Sequence, residues 1–239
     1  HRLLAELPPN DPSLGDLYFS LGRVTRDKAA YDSSLEWFQK SLVTEEQEGS
    51  SNYVNIGNLY NCIGVVYADK CELERALENY NKAIELFRNA NNEDHPNMAG
   101  FYNNIANVYD DQKKYTEALD FYKKSLAIWK QHLPSNHPDI AASHNNIGNV
   151  YSHLNKYDLA MEHVQQSLEM MLKALPGDHP NIAMSYESIA EIHEKKREWK
   201  EALELFKKAL NIYQHAFSSQ HPNILRAKEG IQRVSSNLK

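Results

Sequence analysis

Cysteine and glycine are both scarce in this chain of 239 residues. The two cysteines, Cys62 and Cys71, make neither a disulfide framework nor a paired metal-binding knuckle, so we expect a reducing, cytoplasmic setting. None of the nine glycines belongs to a Gly-x-Gly-x-x-Gly fingerprint and none precedes a lysine, which excludes the usual dinucleotide and P-loop sites. A Gly-x-Ser-x-Gly nucleophile elbow is also missing. We therefore expect no enzyme activity in this segment and no cofactor.

The chain also lacks an excess of basic residues and any long apolar run. Its 26 basic and 32 acidic side chains give a formal charge of −6. Without a basic surplus to neutralise phosphates, nucleic acid is not the expected partner. No apolar stretch approaches the ~20 residues that span a bilayer, so we expect no membrane insertion.

What the sequence does contain is an internal repeat of 42 residues. Four His-Pro pairs recur at this step, and so does a small residue. A fixed period of this size is typical of stacked repeat units, each burying its apolar face against its neighbours. The histidines of the pairs are His95, His137, His179 and His221, and the small residues are Gly22, Gly64, Ala106, Gly148 and Ala190.

Two amphipathic helices are predicted within each repeat. In the third repeat, Met98, Phe101 and Ile105 follow one another at spacings of three and four, as a core-facing helix requires. Tyr115 and Ala118 begin a second stretch with the same spacing. Each repeat is therefore an expected helical hairpin. The hairpins cover residues 14–44, 55–89, 97–131, 139–173 and 181–215, and residues 222–239 form a closing helix whose outer face includes Lys228, Glu229, Gln232 and Arg233.

The join between the first two hairpins and the beginning of the chain depart from this pattern. Residues 44–53 carry a polar, acidic linker in place of His-Pro. Residues 7–12 read Leu-Pro-Pro-Asn-Asp-Pro, in phase with the linker at 133–138. We therefore expect residues 1–13 to be the end of a preceding repeat and its linker, in a chain that comes from a longer polypeptide.

The repeat resembles the tetratricopeptide family, whose units carry Leu-Gly-x-x-Tyr on the first helix and Ala-x-x-x-Phe on the second. The second repeat reads Ile63-Gly64…Tyr67 with Ala76…Tyr80. The 42-residue form, with His137-Pro138 ahead of Asn145-Asn146-Ile147-Gly148, is similar to the repeats of kinesin light chains. The resemblance implies an all-α, right-handed superhelical solenoid of antiparallel helix pairs.

In tetratricopeptide stacks the first helices line a concave face, and the repeat phase puts rows of Asn and Glu there. An amide offers both a donor and an acceptor to the main chain of an extended peptide. Asn is also a poor residue in mid-helix. These amides therefore either bind a peptide or bridge adjacent helices, and both interpretations stay open. The rows contain Asn61, Asn103, Asn145 and Glu187, and one turn further on Asn107, Asn149 and Glu191.

The charges on this expected face are uneven. Arg23 and Arg26 lie in the first repeat, whereas Glu187, Glu191 and Glu194 form one acidic stripe in the fifth. We expect a protein or peptide partner with basic residues toward the 187–194 end. The alternative is a solvated face without a ligand.

The recurring histidines are not expected to bind metal. Neighbouring His-Pro pairs are separated by the thickness of a whole hairpin, whereas the ligands of one zinc ion lie ~2.0–2.1 Å from it. His193-Glu194 begins like a zinc-protease motif, but Arg197 stands where the second histidine belongs.

Three functions fit this sequence. The first is a kinesin-light-chain-like scaffold that binds a short linear peptide in its concave groove. The second is a regulatory or targeting tail of a larger enzyme, such as an arginine ADP-ribosyltransferase, since tetratricopeptide arrays of this kind are appended to such proteins. The third is a structural spacer or self-association module.

Overall fold

A computed structural model describes residues 13–47 and 52–238 of the chain. In these two ranges the backbone forms eleven α-helices and no strand, so the all-α prediction is confirmed. The end of a preceding repeat and its linker were predicted over residues 1–13, of which only Ser13 is described, as the first residue of α1, and part of the polar linker predicted at 44–53 falls on residues 48–51. Residues 1–12 and 48–51 carry the rest of these predictions. Both lie outside the described residues. The chain divides into two compact units, residues 1–112 and 113–239.

Unit 1 contains five helices, each of which contacts the next. Its core gathers Phe38, Leu42, Ile56 and Leu59 from successive helices. In addition, α3 contacts α5, so the first helices of neighbouring repeats touch. The helices are α1 (Ser13–Asp27), α2 (Tyr31–Gln47), α3 (Tyr53–Asp69), α4 (Leu73–Asn89) and α5 (Pro96–Asp111).

Unit 2 contains six helices that also pack in chain order. Met171, Ile182 and Tyr213 belong to one core cluster that draws on four consecutive helices and the closing helix. The first helices again meet, since α7 contacts α9 and α9 contacts α11. The helices are α6 (Tyr115–His132), α7 (Pro138–His153), α8 (Tyr157–Ala174), α9 (Pro180–Lys195), α10 (Trp199–Ala216) and α11 (Pro222–Ser236).

Each His-Pro pair starts a helix. In α9, His179 is the N-cap, and its Nδ1 accepts a hydrogen bond from the backbone N–H of Asn181 at 3.1 Å. Pro180 follows in the first turn, where its missing N–H is not needed. The same cap opens α5, α7 and α11. The histidines therefore satisfy helix ends and set the start of each repeat.

A residue with a left-handed backbone conformation follows the end of each of α1, α3, α7 and α9, and another lies just before α6. At Cys71, φ is 60°, and the N–H of Glu72 bonds to the carbonyl of Tyr67. This six-to-one bond belongs to a Schellman turn, which usually contains glycine. The residues at this repeat position are Ala29, Cys71, Lys113, Asn155 and Arg197.

The two helices of a hairpin approach closely at the small residues. A Cβ added to Gly148 would lie 2.4 Å from a methyl carbon of Val164 and 3.1 Å from the carbonyl oxygen of Ala160. Gly64 meets the ring of Tyr80 in the same way, at 2.6 Å. At these two positions a Cβ would therefore force the facing side chain of the partner helix to shift.

Candidate functional site

The candidate site lies on the first helices of unit 2. Because α7, α9 and α11 contact in turn, residues of equal repeat phase stand in rows across them. We call this surface the α7/α9/α11 face. It comprises Asn145, Asn149, Glu187, Glu191, Glu194, Arg226 and Arg233.

The carboxylate of Glu187 is hydrogen-bonded by other residues of this chain. Its side chain is only 2% exposed, and its carboxylate accepts hydrogen bonds from Arg226 Nε at 2.6 Å and Nη2 at 2.7 Å. The hydroxyl of Tyr213 donates a third bond at 2.9 Å. The bond to Glu187 raises the pKa of the Arg226 guanidinium, while burial, followed by the charge of Glu187, raises the pKa of Tyr213. This cluster fastens the closing helix α11 to α9.

Glu194 is also paired within the chain. Nε and Nη2 of Arg233 each donate to its carboxylate at 3.0 Å. Arg233, predicted on the outer face of the closing helix, is 51% exposed and nevertheless reaches back to α9. Both arginines follow their glutamates by 39 residues, a signal present in the sequence that periodicity arguments missed.

Glu191 lies between these two ion pairs. It is half-buried, and within the described residues it forms no ion pair. Burial raises the pKa of its carboxyl group, the nearby Glu187 adds to this rise, and Arg226 and Arg233 oppose it. Three carboxylates and two guanidinium groups leave this cluster one negative charge in excess when all are ionised. A cation from outside the chain would remove that excess and stabilise the ionised form of Glu191.

Asn145 places an unsatisfied acceptor on the same face. It is 6% exposed, and its Oδ1 has no hydrogen-bond partner in the part of the chain that the structure describes. A buried acceptor without a partner costs ~1–3 kcal/mol. Asn149, one turn further along α7, is half-buried. The face therefore contains a buried, unsatisfied acceptor on α7 and an excess carboxylate on α9.

In unit 1 the asparagine row holds helices together. Oδ1 of Asn61 accepts a hydrogen bond from Nδ2 of Asn104 at 2.8 Å, which links α3 to α5. Asn103 is half-buried and Asn107 is exposed, and both lie on α5. At Asn61 the structure therefore favours the bridging interpretation, and peptide binding by Asn103 and Asn107 stays a prediction.

The two arginines of α1 differ in their surroundings. Nε of Arg26 donates to Asp69 at 2.6 Å, and this bond raises the pKa of Arg26. Arg23 is exposed, and its charge opposes the effect of burial on the thiol of Cys62, whose pKa is raised to about 11. This thiol therefore stays protonated near neutral pH and is a weak nucleophile.

Metal and membrane sites were sought in the same ranges. No cluster of three or more His, Cys, Asp or Glu side chains suited to hold a metal ion is found among residues 13–47 and 52–238. No helix in these ranges has the length and apolar character needed to cross a bilayer.

Comparison with known proteins identifies the repeats. The model of the tetratricopeptide repeat family matches residues 55–131, 97–173 and 139–215, which together cover most of the chain. The chain belongs to the tetratricopeptide repeat family. This membership confirms the resemblance inferred from the Gly-x-x-Tyr and Ala-x-x-x-Tyr positions. The tetratricopeptide fold is in general a scaffold for protein–protein interaction, and a non-catalytic segment agrees with it.

Solved structures share this tetratricopeptide fold at low sequence identity. BtubC (BKLC) from P. vanneervenii matches with a TM-score of 0.76 and 16% identity, over 87% of this chain and 84% of that one. A putative kinesin light chain with nearly identical TPR-like repeats, from Podosopora anserina, gives 0.69 and 19% over 87% and 99%. The apo form of RapI gives 0.70 and 20% over 94% and 62%. No curated protein sequence matches the chain significantly.

Proposed function

We propose that this tetratricopeptide chain is a protein-interaction scaffold that binds a short extended segment with basic side chains on the α7/α9/α11 face. The observation that carries the proposal is Glu191, a half-buried carboxylate that forms no ion pair with residues 13–47 or 52–238 and lies between two carboxylates that do form one. The sequence predicted three acidic ligands for the partner. Because Glu187 and Glu194 are paired with arginines of α11, the proposal now assigns the basic side chain of the partner to Glu191.

The amides of α7 supply the second part of the proposed site. A peptide main chain presents N–H donors at regular intervals, and Asn145 and Asn149 offer acceptors in the row beside Glu191. Likeness to kinesin light chain repeats supports a role as a docking module for a linear segment of another protein. The two cysteines are free, which suits the cytoplasmic setting that we include in the proposal.

The test is a binding scan with immobilised 12-residue peptides, followed by fluorescence anisotropy on the best binders. Peptides with Lys or Arg are expected to bind and their acidic counterparts are not. Glu191→Gln should weaken binding by about fivefold or more, since a hydrogen bond to a charged group contributes ~1.5–3 kcal/mol. The weakening should shrink as salt is raised, because the site is partly open to water.

Glu204→Gln provides the matched control. Glu204 is an exposed residue of the second helix α10, and its substitution removes the same charge away from the face. If no basic peptide binds, or if both variants weaken binding equally, the scaffold proposal for this face is wrong. A chain that binds no peptide but associates with itself in sedimentation would instead favour the spacer and self-association alternative.

A further inference from the structure

Hydrogen bonds between neighbouring first helices recur at a fixed sequence offset. Within each unit, a side chain donates to an acceptor that lies 39 residues earlier, on the preceding first helix. Because the repeats are equivalent, the same offset brings corresponding positions together elsewhere in the array. The three pairs are Asn97 with Asn58, Arg226 with Glu187, and Arg233 with Glu194.

Asn145 stands at the repeat position of Glu187, one repeat earlier. The offset that brings Arg226 to Glu187 therefore brings Met184 to Asn145. Methionine has no N–H or O–H group to donate. Met184 is instead 41% exposed, so its side chain is open to solvent at this position.

A second offset also leaves Asn145 without a donor. In unit 1, Asn104 reaches Asn61 across 43 residues, and Asn61 shares the repeat position of Asn145. Across the same offset Asn145 meets Ser188, whose hydroxyl is shorter than an asparagine amide. Ser188 makes no hydrogen bond to Asn145. At the two positions that donate hydrogen bonds to this row in other repeats, Asn145 faces Met184 and Ser188, and neither donates to it. This explains the unsatisfied Oδ1 of Asn145.

We propose that an arginine of a bound protein segment donates a hydrogen bond to Asn145, in the position that Arg226 has relative to Glu187 in the next repeat. Oδ1 of Asn145 is buried, so the flexible Met184 side chain moves aside to admit the guanidinium, which donates to that oxygen. This inference rests on the proposed function and names one contact within it. The planar guanidinium has five donors in a fixed fork, and it is the group that already fills this position in the next repeat.

The surroundings favour this occupant. Methionine is flexible and polarisable, so Met184 can adapt to a flat group laid against it. The next first helix carries the excess negative charge at Glu191, which attracts a cation to this face. Donation to Asn145 also satisfies a buried acceptor, so binding removes an existing cost.

The first experiment supplies the arginine from within the chain. Met184→Arg should raise the thermal unfolding midpoint relative to Leu172→Arg, and Asn145→Ala should abolish that gain. Leu172 is a matched control because it is 49% exposed, lies on the second helix α8 and acquires the same charge. If Met184→Arg and Leu172→Arg unfold at the same temperature, the proposed position of the guanidinium is wrong.

The second experiment uses the basic 12-residue peptides selected by the binding scan. Met184→Arg should weaken their binding by about fivefold or more relative to Leu172→Arg, since the chain's own guanidinium occupies the position. Replacing the contacting arginine of the peptide by alanine should weaken binding to the wild type and leave binding to Met184→Arg unchanged. Equal binding of each peptide by both variants would overturn the inference.

The two proposals fail in different ways. Binding that is sensitive to Glu191→Gln but not to Met184→Arg would leave the scaffold function standing and remove the Asn145 contact. If no peptide binds, the scaffold function fails, while the unfolding comparison still decides whether a guanidinium fits over Asn145.

Discussion

Replacement of Arg226 by alanine should destabilise the packing of the closing helix α11 in unit 2. Arg226 provides two of the three hydrogen bonds to Glu187, whose carboxylate is almost fully buried. Removing one partner of a buried ion pair costs ~3–5 kcal/mol because the other charge stays buried. Arg226 is 52% exposed, however, so water can reach part of the space it leaves. We therefore expect a loss of ~2–3 kcal/mol, below that range.

Hydrogen exchange and urea unfolding together measure this loss. Relative to the wild type, Arg226→Ala should accelerate exchange of the α11 amides more than exchange of the α7 and α8 amides, because repeat arrays lose stability locally. Arg233→Ala is the comparison, since its partner Glu194 is 19% exposed whereas Glu187 is almost fully buried, and we expect this more accessible pair to contribute only ~1 kcal/mol. Adding Glu187→Gln to Arg226→Ala should recover at least ~1 kcal/mol, because a neutral amide is less costly to bury than a carboxylate.

Two results would refute this account of α11. One is a loss below ~0.5 kcal/mol in Arg226→Ala, within the range of ordinary surface substitutions. The other is an equal loss with and without Glu187→Gln, which would mean that the buried charge is not the cause.

Three further predictions concern the packing and the turns. His144 is 3% exposed, and its pKa is lowered from 6.5 to about 4, chiefly by burial. The contribution of neutral His144 to the free energy of unfolding should therefore be fully present above pH 6.5, and up to ~3 kcal/mol should be lost as the pH falls from 6.5 to 4. Urea unfolding at pH 7 and pH 5 should show ~2 kcal/mol of this loss in the wild type and less in His144→Gln. The same pH dependence in both chains would contradict the assignment to His144. Gly148→Ala should cost ~1–3 kcal/mol by overpacking against Val164, and Val164→Ala should relieve it, as chemical denaturation of the double variant will show. Cys71→Gly should stabilise the chain by ~0.5–1 kcal/mol in the same assay because φ is positive there, and a lower urea midpoint would count against the turn geometry.

The helices and their starts could be predicted because their signals are local. Apolar spacing in one repeat, such as Met98, Phe101 and Ile105, reports which side of a helix is buried, and all three are buried. His179-Pro180 marks a helix start because proline suits only the first turn. That the histidine itself caps the helix was not predicted, since its Nδ1 is a less familiar acceptor than the oxygens of Ser or Asp.

The turns and the ion pairs could not be read from the same signals. Glycine usually reveals a left-handed turn, but Cys71 and Arg197 occupy this conformation without it. The link between Arg226 and Glu187 depends on how one repeat docks on the next, which residue spacing within a helix does not report. The acidic residues of the candidate site were therefore predicted from the sequence, whereas the structure alone reveals which of these carboxylates form ion pairs.

The docking of α11 also decides how many carboxylates of the α7/α9/α11 face are paired. Residues 222–236 supply Arg226 and Arg233, which leave a single carboxylate in excess. Without these residues, Glu187 and Glu194 would lose their arginine partners, and all three carboxylates of α9 would be unpaired. A surface of that kind attracts polycations of many sequences through long-range charge alone. In the proposed site, the closing helix thus leaves one carboxylate, rather than three, to pair with a positive group of a partner.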